Sequence, residues 1–234
     1  MAAKGPESWE RRSGVIGKIR PEGEVLVEAA AMKSPADSTD LVRFHRAIFE
    51  IDLRNSDDPH FLRHHGHDHL KEQLHAELVT GWVWRLTEAP SEALLLAARA
   101  HHLRRWVIPR EDYPTGRAGY HQWRLALKDL HAAEAAAILT REGYPAETVA
   151  RVQAIIVRRQ LKSDAEQQLL EDAICLTFLE TQFGPTAAKL PEKKMEEVLR
   201  KTLAKMSGPA VELARHFHYA HELREMLERA SAVQ

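Results

Sequence analysis

Residues 97–110, AARAHHLRRWVIPR, place two adjacent histidines directly after a run of leucines and alanines. In the preceding residues, SEALLLAARA, apolar side chains surround most of a helical circumference, which predicts a deeply buried helix over 91–105. Pro90 and Ser91 form a helix start, with Ser91 as the cap. Polar side chains at the end of a buried helix need partners, because burying an unpaired polar group is costly. We therefore expect the functional site to lie near this helix.

Apolar residues recur at intervals of three and four residues over most of the chain beyond residue 38, which predicts an all-α fold. The predicted helices cover residues 40–53, 67–86, 91–105, 118–142, 146–160, 165–183, 192–206 and 209–231. No β-strand is predicted. Residues 109–119, PREDYPTGRAG, contain two prolines and two glycines, so they are predicted to form one long loop.

The length of 234 residues suits one domain with extensions. Residues 1–38 mix glycine, proline and charge without a lasting period, which predicts a flexible N-terminal extension. We expect a helical domain over 39–207 and a C-terminal helix over 208–234 that packs on it. The apolar faces of the C-terminal helices suit either the core of the domain or a second copy of the chain, in a homodimer.

Charge and cysteine usage exclude several classes of function. With 33 Lys and Arg against 34 Asp and Glu, the formal charge is -1, so the molecule as a whole does not attract nucleic acid or anionic lipid. The single cysteine, Cys175, excludes a disulfide framework and a cysteine-based zinc site. No stretch approaches the about 18 consecutive apolar residues of a membrane span, and no signal peptide is recognisable. We expect a soluble cytoplasmic protein without a membrane partner.

Three polar positions fall on the apolar faces of three different predicted helices. Asp172 lies on the leucine stripe of AEQQLLEDAICLTFLE, and His131 lies on the inner face of the helix over 118–142. Neighbouring helical residues point about 100° apart, so His101 and His102 are not expected to face one point, and His102 is favoured for the interior. A lone buried histidine is usually a hydrogen-bonded core residue, and a buried aspartate usually pairs with arginine. Together, however, these residue types also suit a divalent transition metal in a helical bundle.

Two further groups are weaker metal candidates. Glu72 shares a stripe with Ala76 and Val79 and is a candidate ligand, although a first-turn glutamate that is favoured by the helix dipole is the simpler interpretation. Residues 64–69, HHGHDH, are predicted to form a solvated loop, where clustered histidines bind metal adventitiously without fixed geometry.

Residues 99–124 contain six arginines and no lysine. This bias matters because the planar guanidinium grips phosphate or carboxylate oxygens through two parallel hydrogen bonds. The alternative is that several of these arginines are solvated or pair with acids elsewhere. The candidate substrate-binding residues are Arg105, Arg110, Arg117, Tyr120 and Arg124.

Several motifs resemble the domain of unknown function 4202 family, within the HD-domain-like superfamily. They are AARAHHLRRWVIPR with the following YP, RAGYHQWR, LHAAEAAAILTREGYP, LEDAICLTFLE and KTLAKMS, and they lie between Phe44 and Ser207. The resemblance implies an HD-domain-like helical bundle with additional C-terminal helices. It also implies that the chain is related to metal-dependent phosphohydrolases.

In catalytic members of that superfamily, an early-helix His, an adjacent His-Asp pair and a late Asp hold the metal, and many members add a further His. The resemblance places His101 at the His of the pair, with His102 in place of the Asp. It places His131 at the further His, Asp172 at the late Asp, and Glu72 at the early-helix His. Two hallmark residues are therefore changed, although both replacements are ligand types, so the metal site is either rebuilt or lost.

The first functional hypothesis is a metal-dependent hydrolase of a nucleotide-like phosphate ester, a phosphate-bearing small molecule. One divalent ion, of Mn, Fe, Co, Ni or Zn, would be held by Asp172, His131 and His102, with Glu72 or His101 as a further ligand. The arginines would bind the phosphate. The candidate catalytic carboxylates that would move protons are Glu171 and Glu134.

The alternative hypothesis is a non-enzymatic nucleotide- or RNA-binding module that keeps the fold with a lost or altered metal site. In that case Asp172 is the buried partner of an arginine. The neutral overall charge counts modestly against broad RNA binding, for which a basic face is expected. An enzyme of another class, such as a synthetase, is disfavoured because no phosphate-cradling glycine motif is present.

Overall fold

The computed structural model describes residues 38–231, so the predicted extension over 1–38 lies almost entirely outside the described residues. The chain divides into two units between Leu41 and Val42, and the site described below belongs to the second unit. The predicted all-α class is confirmed. The helices are α1 Ser38–Asn55, α2 Lys71–Leu86, α3 Glu92–Ala100, α4 Gly116–Arg141, α5 Ala146–Val157, α6 Ala165–Thr181, α7 Phe183–Ala187, α8 Glu192–Leu203, α9 Gly208–Arg215 and α10 His221–Ser231.

Helix α3 lies at the centre of the fold. It packs against α2, α4, α5 and α6, which explains why its apolar residues are not confined to one face. Leu94 and Leu96 are fully buried, and burial of each contributes roughly 1.5–3 kcal/mol. The hydroxyl of Ser91 accepts a hydrogen bond from the backbone N–H of Leu94, so the predicted cap is confirmed. Any polar group at the end of α3 is consequently held inside the core.

The neighbouring helices begin and end at the residues that the sequence indicates. Gly143 adopts a left-handed conformation, with φ of 80°, and ends α4, and Pro145 directly precedes α5. The carboxylate of Asp164 accepts hydrogen bonds from the N–H groups of Glu166 and Gln167 and so caps the start of α6. Among the described residues, no helix combines the length and the apolar character needed to cross a membrane.

A small β-hairpin precedes α2, so the absence of strands and the helix start at residue 67 were wrong predictions. Strand β1, Phe61–His64, pairs antiparallel with β2, His67–Leu70. His65 and Gly66 join them with φ of 47° and 83°, the left-handed pair that a two-residue hairpin turn requires. The stretch HHGHDH is therefore an exposed hairpin tip rather than an irregular loop.

Three other boundaries differ from the prediction. Helix α3 ends at Ala100 rather than near residue 105, and α4 begins at Gly116, inside the predicted loop. The predicted helix over 209–231 is two helices, α9 and α10. The chain leaves the helical path between them because Phe217 and Tyr219 pack into the core, Phe217 with its ring 5.4 Å from that of Trp82. Tertiary packing thus overrides a continuous helical pattern. Helix α9 contacts α6, and α10 contacts α8.

Candidate metal centre

Four histidines meet beside the C-terminal end of α3. The ligand nitrogens of His75, His101 and His102 all lie within 4.8 Å of one another, and we refer to these residues as the three-histidine cluster. The ring of His102 stacks on that of His75 at 4.5 Å and lies 4.3 Å from that of His101. The ring of His131, from α4, lies 5.8 Å from that of His102. The three-histidine cluster could hold a metal ion.

The end of α3 brings both adjacent histidines to one point, so the prediction that His101 and His102 face different ways was wrong. Because α3 ends at Ala100, the two residues lie in the following turns, where the 100° helical rotation no longer applies. The turn closes at Arg104, whose φ is 50° and whose N–H donates to the side chain of Asn55 at 3.0 Å. Asn55 is buried, and it fixes the path of this turn.

The hydrogen bonds of two imidazoles determine which nitrogen is available to a ligand. Nδ1 of His101 lies 2.7 Å from the carbonyl oxygen of Ala98, and Nδ1 of His131 lies 2.8 Å from that of Leu103. A carbonyl oxygen only accepts, so each Nδ1 carries the proton and each Nε2 carries a lone pair. Both Nε2 atoms, and that of His75, are buried without a partner among the described residues. The Nε2 lone pairs of His101 and His131 fit a metal ion.

Glu72 holds His102 in place. Its carboxylate accepts a hydrogen bond from Nδ1 of His102 at 2.9 Å. Glu72 is held in turn by an ion pair with Lys71 and by the hydrogen bond that its own backbone N–H donates to Asp58. Burial raises the pKa of Glu72, although the positive charges of Lys71 and Arg105 act to lower it. A carboxylate behind a histidine in this way orients the ring and makes its other nitrogen a better ligand. The structure therefore places Glu72, a predicted ligand, behind a histidine.

All four imidazoles are in the neutral form that a metal ligand requires. Burial, with the positive charge of Arg105, lowers the pKa of His75 to about 3. Burial also lowers the pKa of His131 to about 3, and it lowers those of His101 and His102 well below the usual value. Near neutral pH each imidazole therefore has one nitrogen whose lone pair carries no proton, and a metal can bind there without displacing a proton.

Asp172 finds strong donors away from the three-histidine cluster. Its Oδ1 accepts from the side chain of Gln168 at 2.8 Å and from the N–H of Ser207 at 2.8 Å. The predicted need of this buried carboxylate for partners is thus met at the start of α9. Of the predicted ligands, the structure gathers His101 and His102, places His131 beside them, and directs Asp172 to Ser207.

The sequence prediction missed His75. It lies on α2 on the same buried stripe as Val79 and Trp82, at intervals of four and seven residues. The test that singled out Asp172, a polar residue on an apolar helical stripe, would also have found His75. Glu72, one turn earlier on the same face, was chosen in its place.

The family comparison covers the whole of this arrangement. A family model described as "Domain of unknown function (DUF4202)" matches residues 45–227. The chain belongs to the DUF4202 family. The matched residues include the three-histidine cluster, His131 and Glu72. No curated protein and no solved structure matches the chain.

Two of the predicted anion-binding residues of this DUF4202 chain lie close to the histidines. The guanidinium of Arg105 stacks on the ring of Trp123 at 4.7 Å, and its Nε lies 3.8 Å from the carboxylate of Glu72. The charge of Arg124 contributes to the lowered pKa of His131. Positive charge therefore surrounds the neutral imidazoles.

The other three predicted anion-binding residues have different surroundings. Arg110 donates to the carbonyl oxygens of Tyr113 and Pro114, both at 3.0 Å, and so fastens its own loop. Arg117 is exposed and contacts His121 on the same helix at 3.5 Å. Tyr120 is exposed too, with its ring 5.8 Å from that of Trp123.

The two candidate catalytic carboxylates differ in their partners. Both oxygens of Glu134 accept from arginines, Arg54 at 2.9 Å and Arg104 at 2.7 Å. Glu171 faces Arg158 and Lys205. Burial acts to raise the pKa of Glu171, but the surrounding positive charges outweigh it and leave that pKa below its ordinary value. Glu171 is therefore ionised near neutral pH, and its lowered pKa makes it a weak proton acceptor.

Proposed function

We propose that this DUF4202 chain is a metal-dependent phosphohydrolase that acts on a nucleotide-like phosphate ester. The observation that carries the proposal is the three-histidine cluster, in which the buried Nε2 atoms of His75 and His101 have no hydrogen-bond partner among the described residues. Imidazole nitrogens suit Zn, Fe, Co, Ni and Mn in helical proteins. The resemblance of the surrounding motifs to the HD-domain-like superfamily adds the reaction class.

The residues of the chain take the following roles in this proposal. His75, His101 and His102 would hold the ion, with Nε2 of His131 nearby and Glu72 orienting His102. When bound, a divalent ion polarises a phosphoryl oxygen and lowers the pKa of water. The guanidinium groups of Arg105 and Arg124 bind the phosphate of the substrate and offset the negative charge that develops during reaction.

One observation favours a second candidate, a non-enzymatic nucleotide-binding module. The charges of Arg105 and Arg124 act on the histidines, and positive charge weakens the binding of a cation while it attracts an anion. In either case the buried, unpaired Cys175 suits a reducing compartment such as the cytoplasm.

A hydrolysis screen separates the two candidates. Metal-free protein is loaded separately with Mn, Fe, Co, Ni or Zn, and release of phosphate or of the alcohol is measured from a panel of nucleotides and simple phosphate esters. We expect turnover with at least one metal, a loss of that turnover in His102→Ala, and a decrease of about 10- to 100-fold in Glu72→Gln. His67→Ala, at the exposed hairpin tip, is the control and should retain full activity. Binding of nucleotides without turnover under any loading would favour the binding module.

A further inference from the structure

Two cationic side chains contact the carboxylate of Glu171, and the charges of two more act on it. Arg158 Nε lies 2.8 Å from one oxygen of Glu171, and Lys205 Nζ lies 3.5 Å from the other. Lys128 and Arg124 are close enough for their charges to act on the same carboxylate. We call Arg124, Lys128, Arg158 and Lys205 the cationic cluster. Four positive charges on one carboxylate leave a surplus that an anionic ligand would balance.

The neighbouring carboxylate of Asp172 does not form an ion pair with the cationic cluster. Its Oδ1 accepts from the N–H of Ser207, at the start of α9, and from the side chain of Gln168. Gln168 also donates to the carbonyl oxygen of Lys205 at 2.9 Å, so the backbone that carries this lysine is fixed. Glu171 remains the acid that directly contacts the cationic cluster.

Arg158 is the buried end of the cationic cluster. Only 4% of its side chain is exposed, and its Nη1 has no hydrogen-bond partner among the described residues. A buried guanidinium N–H without an acceptor costs free energy that a bound anion would recover. The residue also ends α5 with φ of 53°, a position where glycine is usual. An arginine at this position carries a backbone cost that a glycine would not.

The cationic cluster extends from this buried arginine towards solvent. Lys128 is half-buried and donates to the carbonyl oxygen of Val157 at 2.7 Å. Burial, together with the charge of Arg158, lowers the pKa of Lys128 to about 8. The side chain of Lys205 is 55% exposed. Lys205 is therefore accessible to a ligand from solvent.

The cationic cluster acts electrostatically on the histidines. The charge of Arg158 acts on His101 and His131, and that of Arg124 acts on His75 and His131. An anion between Arg158 and Lys205 would offset part of the positive charge that acts on the proposed metal site.

We propose that Arg158, Lys128 and Lys205 form a subsite for the phosphoryl dianion of a phosphate monoester. The surplus of positive charge selects a doubly charged monoester over a singly charged diester, because each additional negative charge gains a cationic partner. The place of the subsite in substrate binding rests on the proposed function, since it presents the phosphoryl group to the histidines. Binding of the anion itself needs only the cationic cluster.

The test uses the metal-free full chain at low ionic strength and slightly above neutral pH. Methyl phosphate, a dianion, and dimethyl phosphate, a monoanion, are titrated separately and followed by phosphorus NMR. We expect methyl phosphate to bind at least about tenfold more tightly than dimethyl phosphate, and Lys205→Gln and Arg158→Gln each to weaken methyl phosphate binding by about tenfold or more. Lys201→Gln is the matched control, because Lys201 is similarly exposed and pairs with Glu197 on its own helix.

Equal affinity for the two probes, or unchanged affinity in Lys205→Gln, would overturn the subsite. Arg158→Gln leaves Glu171 without its nearest cation, so the helix content of this variant is compared with that of the wild type. If Arg158→Gln unfolds, Lys205→Gln still tests the subsite, because Lys205 is exposed. Binding that depends on Lys205, without hydrolysis under any metal loading, would support the subsite and overturn the hydrolase. Hydrolysis with a KM unchanged in Lys128→Gln and Lys205→Gln would support the hydrolase and overturn the subsite.

Discussion

Substitution of His101 by alanine is expected to abolish the stabilisation that a divalent metal confers on the protein. His101 supplies a buried Nε2 lone pair without a partner among the described residues, and it belongs to the three-histidine cluster. A ligand at 100 times its Kd stabilises the folded state by about 2.7 kcal/mol, which raises the Tm of a domain of this size by roughly 5–10 °C. Calorimetric melting of metal-free and metal-loaded protein measures this difference.

The control for this experiment is His67→Ala, which removes a histidine from the exposed hairpin tip and should keep the full metal-dependent shift. His102→Ala serves as a second variant, because His102 is the least buried member of the three-histidine cluster and its removal leaves the smallest cavity. A shift that persists in both cluster variants but disappears in His67→Ala would locate the metal at the hairpin and contradict the proposed site.

The second large effect is expected for Gly119→Ala. A Cβ atom at Gly119 would lie 1.9 Å from the carbonyl oxygen of Pro114, which belongs to the backbone of the loop before α4. A backbone atom cannot move aside as a side chain can, so either the loop or α4 must shift. We expect a loss of stability of about 3 kcal/mol, at the upper end of the usual effects of overpacking. Urea unfolding followed by circular dichroism measures it.

Gly81→Ala is the matched control, because Gly81 also lies within a helix and a Cβ atom there meets nothing within 4 Å. Alanine is the better helix former, so Gly81→Ala should increase stability by about 0.5–1 kcal/mol. If Gly119→Ala were as stable as Gly81→Ala, the close packing of the loop on α4 would be refuted.

Local patterns were sufficient to predict most of the helices. The periodicity of α3 and α6 and the cap at Ser91 depend on residues that are near in sequence, and these features are confirmed. The break between α9 and α10 depends on the contact between Phe217 and Trp82, which are far apart in the chain. Helical periodicity carries no information about such a contact. The hairpin turn at His65 and Gly66 was missed because a histidine in a left-handed conformation is uncommon.

The candidate site could be predicted only in part. Polar residues on apolar stripes pointed to His131 and Asp172, and the end of α3 pointed to His101 and His102. The convergence of the adjacent histidines was not predictable from helical geometry, since it depends on the turn that Asn55 fixes from another helix.

Long-range contacts also decide the partners of the charged candidates. Asp172 accepts a hydrogen bond from the N–H of Ser207, and Glu171 pairs with Arg158. Helical periodicity does not predict which elements of the fold bring these partners together.

The most direct test of the account is the metal content of the chain purified without a histidine tag and measured by inorganic mass spectrometry after loading and dialysis. We expect about one divalent ion per chain in the wild type and in His67→Ala, and none in His75→Ala or His101→Ala variants that keep their helix content. A wild type that retains no metal under any loading, or cluster variants that retain as much as the wild type, would contradict it.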